Sequence, residues 1–247
     1  QIEKWQAVWD ENYRAGDEAA AAADGFDLSG WLSSYTGQPI PRDEMREWVD
    51  HTVARILELK PSRVLEIGCG TGLLLTRVAP HVADYVGVDF SASVLETLSA
   101  RVTARGLPQV RLLRRQAREV GEGHHRCFDT VVVNSVSQYF PGLDYFLDVL
   151  DAAVGAVADG GSIFLGDLRA LPLLELQHAS VQFHQAEESC TPDDLRRRVA
   201  GQAEHEEELL FDPALFATLP ARFPRISRVL LQLKRGAALN AVSYTHL

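Results

Sequence analysis

The chain has 247 residues, of which 46% are hydrophobic and 23% are charged, and its formal net charge is −10. This length allows one large domain with a core of its own, so neither disulfides nor a structural metal is required. The acidic balance argues against a nucleic-acid binder, which needs a basic surface facing the phosphates. No apolar run approaches the roughly 20 residues that cross a bilayer, so no membrane partner is expected. The three cysteines lack CxxC spacing and favour a reduced, cytoplasmic setting.

Residues 1–60 are predicted to form an N-terminal extension of helices and a lid. Apolar side chains recur at helical spacing over 2–14, and a further helix is predicted over 41–59. Between them, residues 24–40 carry Gly, Ser, Pro and three aromatic side chains, a composition typical of an ordered loop. We expect the extension to form one structural unit with a core over 61–247.

Within this core, strands alternate with helices. Five apolar or β-branched stretches predict strands, at 63–67, 84–89, 110–113, 128–134 and 161–167. Helices are predicted at 73–78, 92–104 and 143–157, and the section 171–202 is mainly helical. A late strand over 226–234 is expected to be antiparallel. Strands that are apolar through most of their length and alternate with helices indicate an α/β fold, in which helices cover both faces of a parallel sheet.

The strongest motif is VLEIGCGTG at 64–72, which ends the first predicted strand and opens a helix. Gly68, Gly70 and Gly72 let the backbone turn tightly and approach a ligand. Asp89 ends the second strand, where an acid can hold two ribose hydroxyls. Ligands of open α/β sheets bind at these carboxyl ends.

Glu66 distinguishes between two classes of ligand. A dinucleotide site needs GxGxxG and a helix N-terminus facing a pyrophosphate, which a carboxylate would oppose. The pattern here is GxGxG, and a carboxylate suits the sulfonium and ammonium of S-adenosylmethionine (SAM). This E-x-G-x-G-x-G arrangement resembles that of the class I SAM-dependent methyltransferases. A nicotinamide dinucleotide site, a turn without a ligand, and a purely structural Glu66 stay open as alternatives.

The resemblance implies a Rossmann-like methyltransferase fold with a mostly parallel, seven-stranded sheet and helices on both faces. It also implies a set of cofactor-binding residues, namely Glu66, Gly68, Gly70, Gly72, Asp89, Phe90, Gln116, Ala117, Asn134, Ser135 and Tyr35. In this arrangement the glycines approach the methionine part of SAM and Asp89 binds its ribose. Phe90 flanks the adenine, Gln116 and Ala117 frame its edge, and Tyr35 closes over the cofactor from the lid.

Four further segments narrow the family. Residues 30–41, 133–141, 166–174 and 233–240 resemble those of the N-methyltransferase domains built into nonribosomal peptide synthetases. The resemblance implies methylation of the α-amine of an aminoacyl group held as a thioester on a carrier protein. It also implies an adjacent adenylation domain. Family members continue into a Tyr- and Val-rich last strand that residues 241–247 do not match, so this strand is doubtful.

The catalytic demands are modest, because the methyl group of SAM already sits on a leaving group and the protein mainly aligns the amine. Candidates are Tyr139 after the fourth strand, Asp167 at the end of the fifth, and His178 in the next helix. Each has a structural alternative: packing for Tyr139, a helix cap or a pair with Arg169 for Asp167, and an ordinary core or surface histidine for His178. His178 and His184 are not spaced as HxxxH, so no metal site is predicted.

Two other functions stay open at this point. One is an O- or C-methyltransferase of the same fold that acts on a small molecule. The other is a SAM-binding spacer domain without turnover, which binding of SAM without methyl transfer would reveal.

Overall fold

Five parallel strands form the sheet in the computed structural model, which describes Phe26 and residues 31–234. They are β1 (Arg63–Ile67), β2 (Asp84–Asp89), β3 (Val110–Arg114), β4 (Phe128–Asn134) and β5 (Val157–Gly166). Their order across the sheet is β3-β2-β1-β4-β5, and every neighbouring pair is parallel. The chain order therefore reverses between β1 and β4, which opens a crevice at their carboxyl ends.

Helices cover both faces of this sheet. They are α1 (Arg42–Glu58), α2 (Leu75–Val78), α3 (Ala92–Ala104), α4 (Leu143–Ala156), α5 (Leu174–His184), α6 (Pro192–Glu204) and α7 (Pro213–Arg222). Side chains of the strands alternate between two apolar clusters: Leu65 joins α4 and α7, whereas its neighbour Val64 joins α1 and α3. None of the helices in the described ranges is long and apolar enough to span a membrane.

The α/β architecture with a covered parallel sheet is confirmed. The strands predicted at 63–67, 84–89 and 128–134 match β1, β2 and β4 at both ends. Seven strands were expected, and the described residues form five. The predicted helix over 2–14, most of the first half of the lid loop, and the doubtful last strand over 241–247 lie outside the described residues.

The predicted late strand over 226–234 is wrong, because this segment is not part of the sheet. It runs beside β5 in the same direction, not antiparallel to it: Arg225 donates to the carbonyl of Val157 at 2.9 Å, and Lys234 pairs with Asp167 just beyond the other end of β5. Three leucines of the segment are exposed. Alternating apolar residues favour a strand, but a strand forms only where its backbone groups pair with a neighbour.

Candidate active site

A cavity of about 140 Å³ opens at the carboxyl ends of β1, β2 and β4, where the strand order reverses. Most of the residues predicted from the sequence line it, namely Glu66, Gly68, Gly70, Asp89, Phe90, Gln116, Ala117, Asn134, Ser135 and Tyr139. Trp31 and Trp48 contribute two aromatic rings to the same wall, with their centroids 5.1 Å apart. Gly72, Tyr35, Asp167 and His178 do not line the cavity.

The glycine loop, residues 68–72, contributes backbone atoms to the cavity wall. The backbone N–H groups of Gly68 and Cys69 donate to the carbonyl of Val88 at 2.8 and 3.0 Å, which ties the loop to the end of β2. Gly68 has φ +75°, and a Cβ there would lie 2.7 Å from Cγ2 of Val136, another wall residue. Gly72 has a packing role instead, because a Cβ at this position would collide with Leu98 of α3.

Asp89 is buried at the end of β2 and is held by the backbone. Its Oδ2 accepts from the N–H of Gly70 at 2.9 Å, and its Oδ1 accepts from the N–H of Ser91 at 3.0 Å. A carboxylate oxygen can accept more than one hydrogen bond. The same group can therefore receive the hydroxyls of a ribose from the cavity side.

Glu66 is buried on the wall beside the glycine loop. The hydroxyl of Tyr85 donates to its Oε2 at 2.7 Å. Burial raises the pKa of Glu66 to about 8, although this hydrogen bond opposes the rise. The carboxyl group is thus protonated at neutral pH, and a cation in the cavity would favour its ionised form.

Gln116 follows β3 and lines the cavity, where the resemblance predicts the edge of adenine. Its Oε1 is buried and has no hydrogen-bond partner among the described residues, whereas its backbone N–H donates to Glu119 at 3.0 Å. A buried acceptor without a donor costs free energy. A ligand that brings an N–H group, such as the amino group of adenine, fits this position.

The ends of β4 and β5 carry a chain of polar contacts. Asn134 donates to Oγ of Ser135 at 2.9 Å, and Ser135 donates to Oδ2 of Asp167 at 2.5 Å. Asp167 therefore contacts the cavity through Ser135. It also pairs with the ammonium of Lys234, which is buried and lies 4.5 Å from the centroid of the Trp48 ring.

The predicted lid residue Tyr35 packs away from the cavity. Its hydroxyl shares a hydrogen bond of 3.0 Å with Ser180, and its ring stands edge-on to His184 at 5.4 Å between centroids. Both partners lie on or beside α5, so this part of the loop is docked on that helix. Trp31, from the same loop, reaches the cavity instead.

Residues 206–211, here called the acidic strap, were not assigned to the site from the sequence. The backbone N–H of Leu209 donates to the carbonyl of Gln138 at 2.7 Å, and that of Phe211 donates to the carbonyl of Arg169 at 2.9 Å. The strap therefore lies against the segments that follow β4 and β5. No periodic pattern marks it, and only its run of glutamates (Glu206 to Glu208) hints at a site.

Arg169 and His178, two charged or titratable residues considered in the sequence analysis, both contact the strap. Arg169 binds Glu206 at 2.9 Å and Glu208 at 2.7 Å. Nε2 of His178 lies 3.5 Å from Glu206 and has no hydrogen-bond partner in the described part of the chain. Arg169 thus pairs with the strap and not with Asp167.

Tyr139 lines the cavity and is also influenced by the charges of the strap. Its side chain lines the wall, and burial together with the charge of Glu208 raises its pKa well above the ordinary value. Its hydroxyl therefore stays protonated at neutral pH, which suits a hydrogen-bonding role and excludes one as a base.

The chain matches a family model described as a methyltransferase domain over residues 65–163. It is also similar to three peptide synthetases. Chondramide synthase cmdD from Chondromyces crocatus is 45% identical over 98% of this chain. The probable non-canonical nonribosomal peptide synthetase CymA from Salinispora arenicola is 40% identical over 98% of it. The beauvericin nonribosomal cyclodepsipeptide synthetase from Beauveria bassiana is 34% identical over 98% of it.

These relatives are much longer, and the chain spans 6%, 3% and 8% of their lengths. The similarity therefore concerns one section of each synthetase. Together with the sheet order and the glycine loop, it confirms the resemblance inferred from the sequence. The chain belongs to the class I SAM-dependent methyltransferases, close to the methyltransferase domains built into nonribosomal peptide synthetases.

Proposed function

We propose that this domain methylates the α-amine of an aminoacyl group held as a thioester on a carrier protein. The observation that carries the proposal is the similarity to peptide synthetases over nearly the whole chain. In such a synthetase the growing chain is held on carrier proteins. The partners we propose are therefore an aminoacyl carrier protein and an adjacent adenylation domain, in a cytoplasmic setting.

The cavity wall fits SAM by its chemistry. The close approach of backbone at Gly68 suits the methionine part, Glu66 suits its ammonium, and Asp89 suits the ribose. The unpartnered Oε1 of Gln116 suits the amino group of adenine. When bound, SAM supplies an electrophilic methyl group on a sulfonium that leaves as a neutral thioether.

The residues of this chain mainly align the acceptor amine with the methyl group of SAM. Tyr139 lies on the wall with a protonated hydroxyl and orients the acceptor amine. Asp167 acts through Ser135 and is a positioning residue. Alignment of this kind supplies up to about 7–11 kcal/mol in favourable cases. Because a model α-amine has a pKa of about 7.7–8.0, a useful neutral fraction exists without a strong base.

The test is intact-protein mass spectrometry of carrier proteins loaded with different amino acids and incubated with the domain and SAM. We expect a gain of one methyl group on a carrier-bound species, located on nitrogen by fragmentation. Asp89→Asn should reduce the rate at least about tenfold by removing a charged hydrogen-bond acceptor. Asp84→Asn is the matched control, since Asp84 begins the same strand and pairs with Arg111 away from the cavity.

Other results would contradict the proposal in distinct ways. Methylation of free amino acids alone indicates an enzyme for small molecules. A methyl group located on oxygen or carbon would show that the acceptor atom is not nitrogen. Binding of SAM without transfer to any carrier-bound or free species indicates a spacer domain.

A further inference from the structure

The indole N–H of Trp48 is a buried hydrogen-bond donor without an acceptor. Trp48 lies on α1 and lines the cavity, and the residue is only 7% exposed. Its Nε1 has no hydrogen-bond partner among the described residues. A buried donor that lacks an acceptor costs free energy. An acceptor that enters the cavity would remove this cost, so the unpaired donor indicates a ligand.

The indole ring of Trp48 is held by two contacts. Its centroid lies 5.1 Å from that of Trp31 on the same wall, and 4.5 Å from the ammonium nitrogen of Lys234. An aromatic neighbour and a cation against the ring face both stabilise one orientation of the ring. A donor held in this way binds an acceptor without a further loss of conformational freedom.

Trp48 lies on the side of the cavity opposite to the proposed nucleoside contacts. Asp89 and Gln116 follow β2 and β3, toward one edge of the sheet. Lys234, which lies against the Trp48 ring, pairs with Asp167 just beyond β5 at the other edge. When ribose and adenine occupy the β2 and β3 side, the amino-acid end of SAM therefore faces Trp48.

The groups at that end of SAM differ in their hydrogen bonding. The ammonium group only donates, and the sulfonium is a cation that repels the hydrogen of a donor. The ionised carboxylate only accepts, and an indole N–H only donates. Of the three groups, the carboxylate is thus the one that matches Trp48, as the ammonium matches Glu66 on the same wall.

The packing of Trp48 favours the cofactor over the acceptor substrate. Its side chain belongs to the same apolar cluster as Cys69 of the glycine loop and Leu74, and all three line the cavity. The glycine loop is the part of the wall that we propose for the methionine part of SAM. The carbonyl of the aminoacyl thioester is the competing acceptor, and a binding measurement with SAM alone leaves it out.

We propose that the indole N–H of Trp48 donates a hydrogen bond to the carboxylate of SAM. This inference rests on the proposed function, which requires SAM, and it adds a contact that distinguishes SAM from analogues without the carboxylate. The contact comes from α1, outside the residues 65–163 that match the methyltransferase family model.

The test compares SAM with decarboxylated SAM, which keeps the nucleoside, the sulfonium and the amine. Calorimetric titration without an acceptor substrate gives the dissociation constant of each ligand. We expect the wild type to bind SAM at least about tenfold more tightly, the effect of one hydrogen bond to a charged group. Trp48→Phe keeps an aromatic ring without the N–H, and should reduce this preference about tenfold. The ratio of the two constants cancels effects of the smaller ring that both ligands share.

Trp31→Phe is the matched control, because it makes the same change in the neighbouring ring of the wall. Trp31 is partly exposed, unlike Trp48, and this variant should keep the preference for SAM. Circular dichroism verifies that both variants are folded.

A second measurement leaves the wall unaltered. In a proton–nitrogen NMR spectrum of the wild type labelled at its tryptophans, the indole signal of Trp48 should move downfield when SAM binds. Decarboxylated SAM should shift it much less, because it brings no carboxylate to the N–H.

An unchanged preference for SAM in Trp48→Phe would overturn the inference, and so would equal affinities of the wild type for the two ligands. A downfield shift that appears only after an aminoacyl-pantetheinamide is added would assign the N–H to the acceptor carbonyl and overturn it as well. If the wild type shows the preference and Trp48→Phe loses it, but no carrier-bound nitrogen is methylated, the proposed function fails and the inference stands. If nitrogen is methylated and Trp48→Phe keeps the preference, the inference fails and the function stands.

Discussion

The carboxyl group of Glu66 lies on the cavity wall, where burial raises its pKa to about 8. The sequence predicted a carboxylate that attracts a cation. The structure adds that the group is protonated at pH 7 before a ligand arrives. Binding of a cation beside it favours the ionised form, so the proton must leave.

We therefore predict that wild-type domain releases close to one proton for each SAM bound at pH 7. Below pH 8 the ionised fraction of Glu66 falls, so affinity should fall as well, by up to about tenfold per pH unit. Calorimetric titrations in two buffers with different ionisation enthalpies measure the release. Glu66→Gln resembles the protonated group in shape, and it should release no proton and bind SAM more weakly. Equal heats in both buffers for the wild type would contradict the prediction.

Single residues at the ends of parallel strands could be predicted from the sequence. Glu66, Asp89 and Asn134 lie near the carboxyl ends of β1, β2 and β4, which meet at one edge of the sheet. The acidic strap could not, because it meets the turn after β4 through a backbone hydrogen bond between Leu209 and Gln138, which lie far apart in the chain. Proximity of that kind depends on tertiary structure and has no local signature.

The glycine loop is the element that shapes the cofactor side of the cavity. Gly68 and Gly123 share the same φ of +75°, but only at Gly68 would a Cβ meet a neighbour, Cγ2 of Val136 at 2.7 Å. Alanine at either position costs about 1–2 kcal/mol of backbone strain. At Gly68 it also displaces the loop or Val136, both of which line the cavity.

We expect Gly68→Ala to weaken binding of SAM at least about tenfold, which corresponds to a free energy of about 1.4 kcal/mol. Gly123→Ala should lower the melting temperature through the same strain and leave SAM affinity unchanged. Titration calorimetry and thermal unfolding of the two variants separate the effects. Equal SAM affinities for both variants would show that close approach at Gly68 has no part in binding.

Two elements show where sequence patterns fall short. The segment 226–234 has the apolar alternation of a strand but attaches to β5 through the side chains of Arg225 and Lys234, not through a backbone ladder. Helix α7 was not predicted, although Asp212 caps its N-terminus and Pro213 occupies its first turn. Pro220 inside the helix hides its periodicity from a sequence argument.

At the scale of the whole molecule, the strand order β3-β2-β1-β4-β5 explains why the residues of the candidate active site lie at one edge of the sheet. The reversal between β1 and β4 separates two groups of side chains. In the function we propose, the glycine loop and the ends of β2 and β3 form the cofactor side. In the same proposal, the turns after β4 and β5 form the acceptor side, and Tyr139 lines the cavity there.

The most direct test of this division is a crystal structure of the domain with S-adenosylhomocysteine and an aminoacyl-pantetheinamide. We predict ribose hydroxyls on Asp89, adenine beside Gln116, and the amine between the sulfur and Tyr139. A nucleoside bound outside the cavity, or an amine directed away from the sulfur, would contradict it.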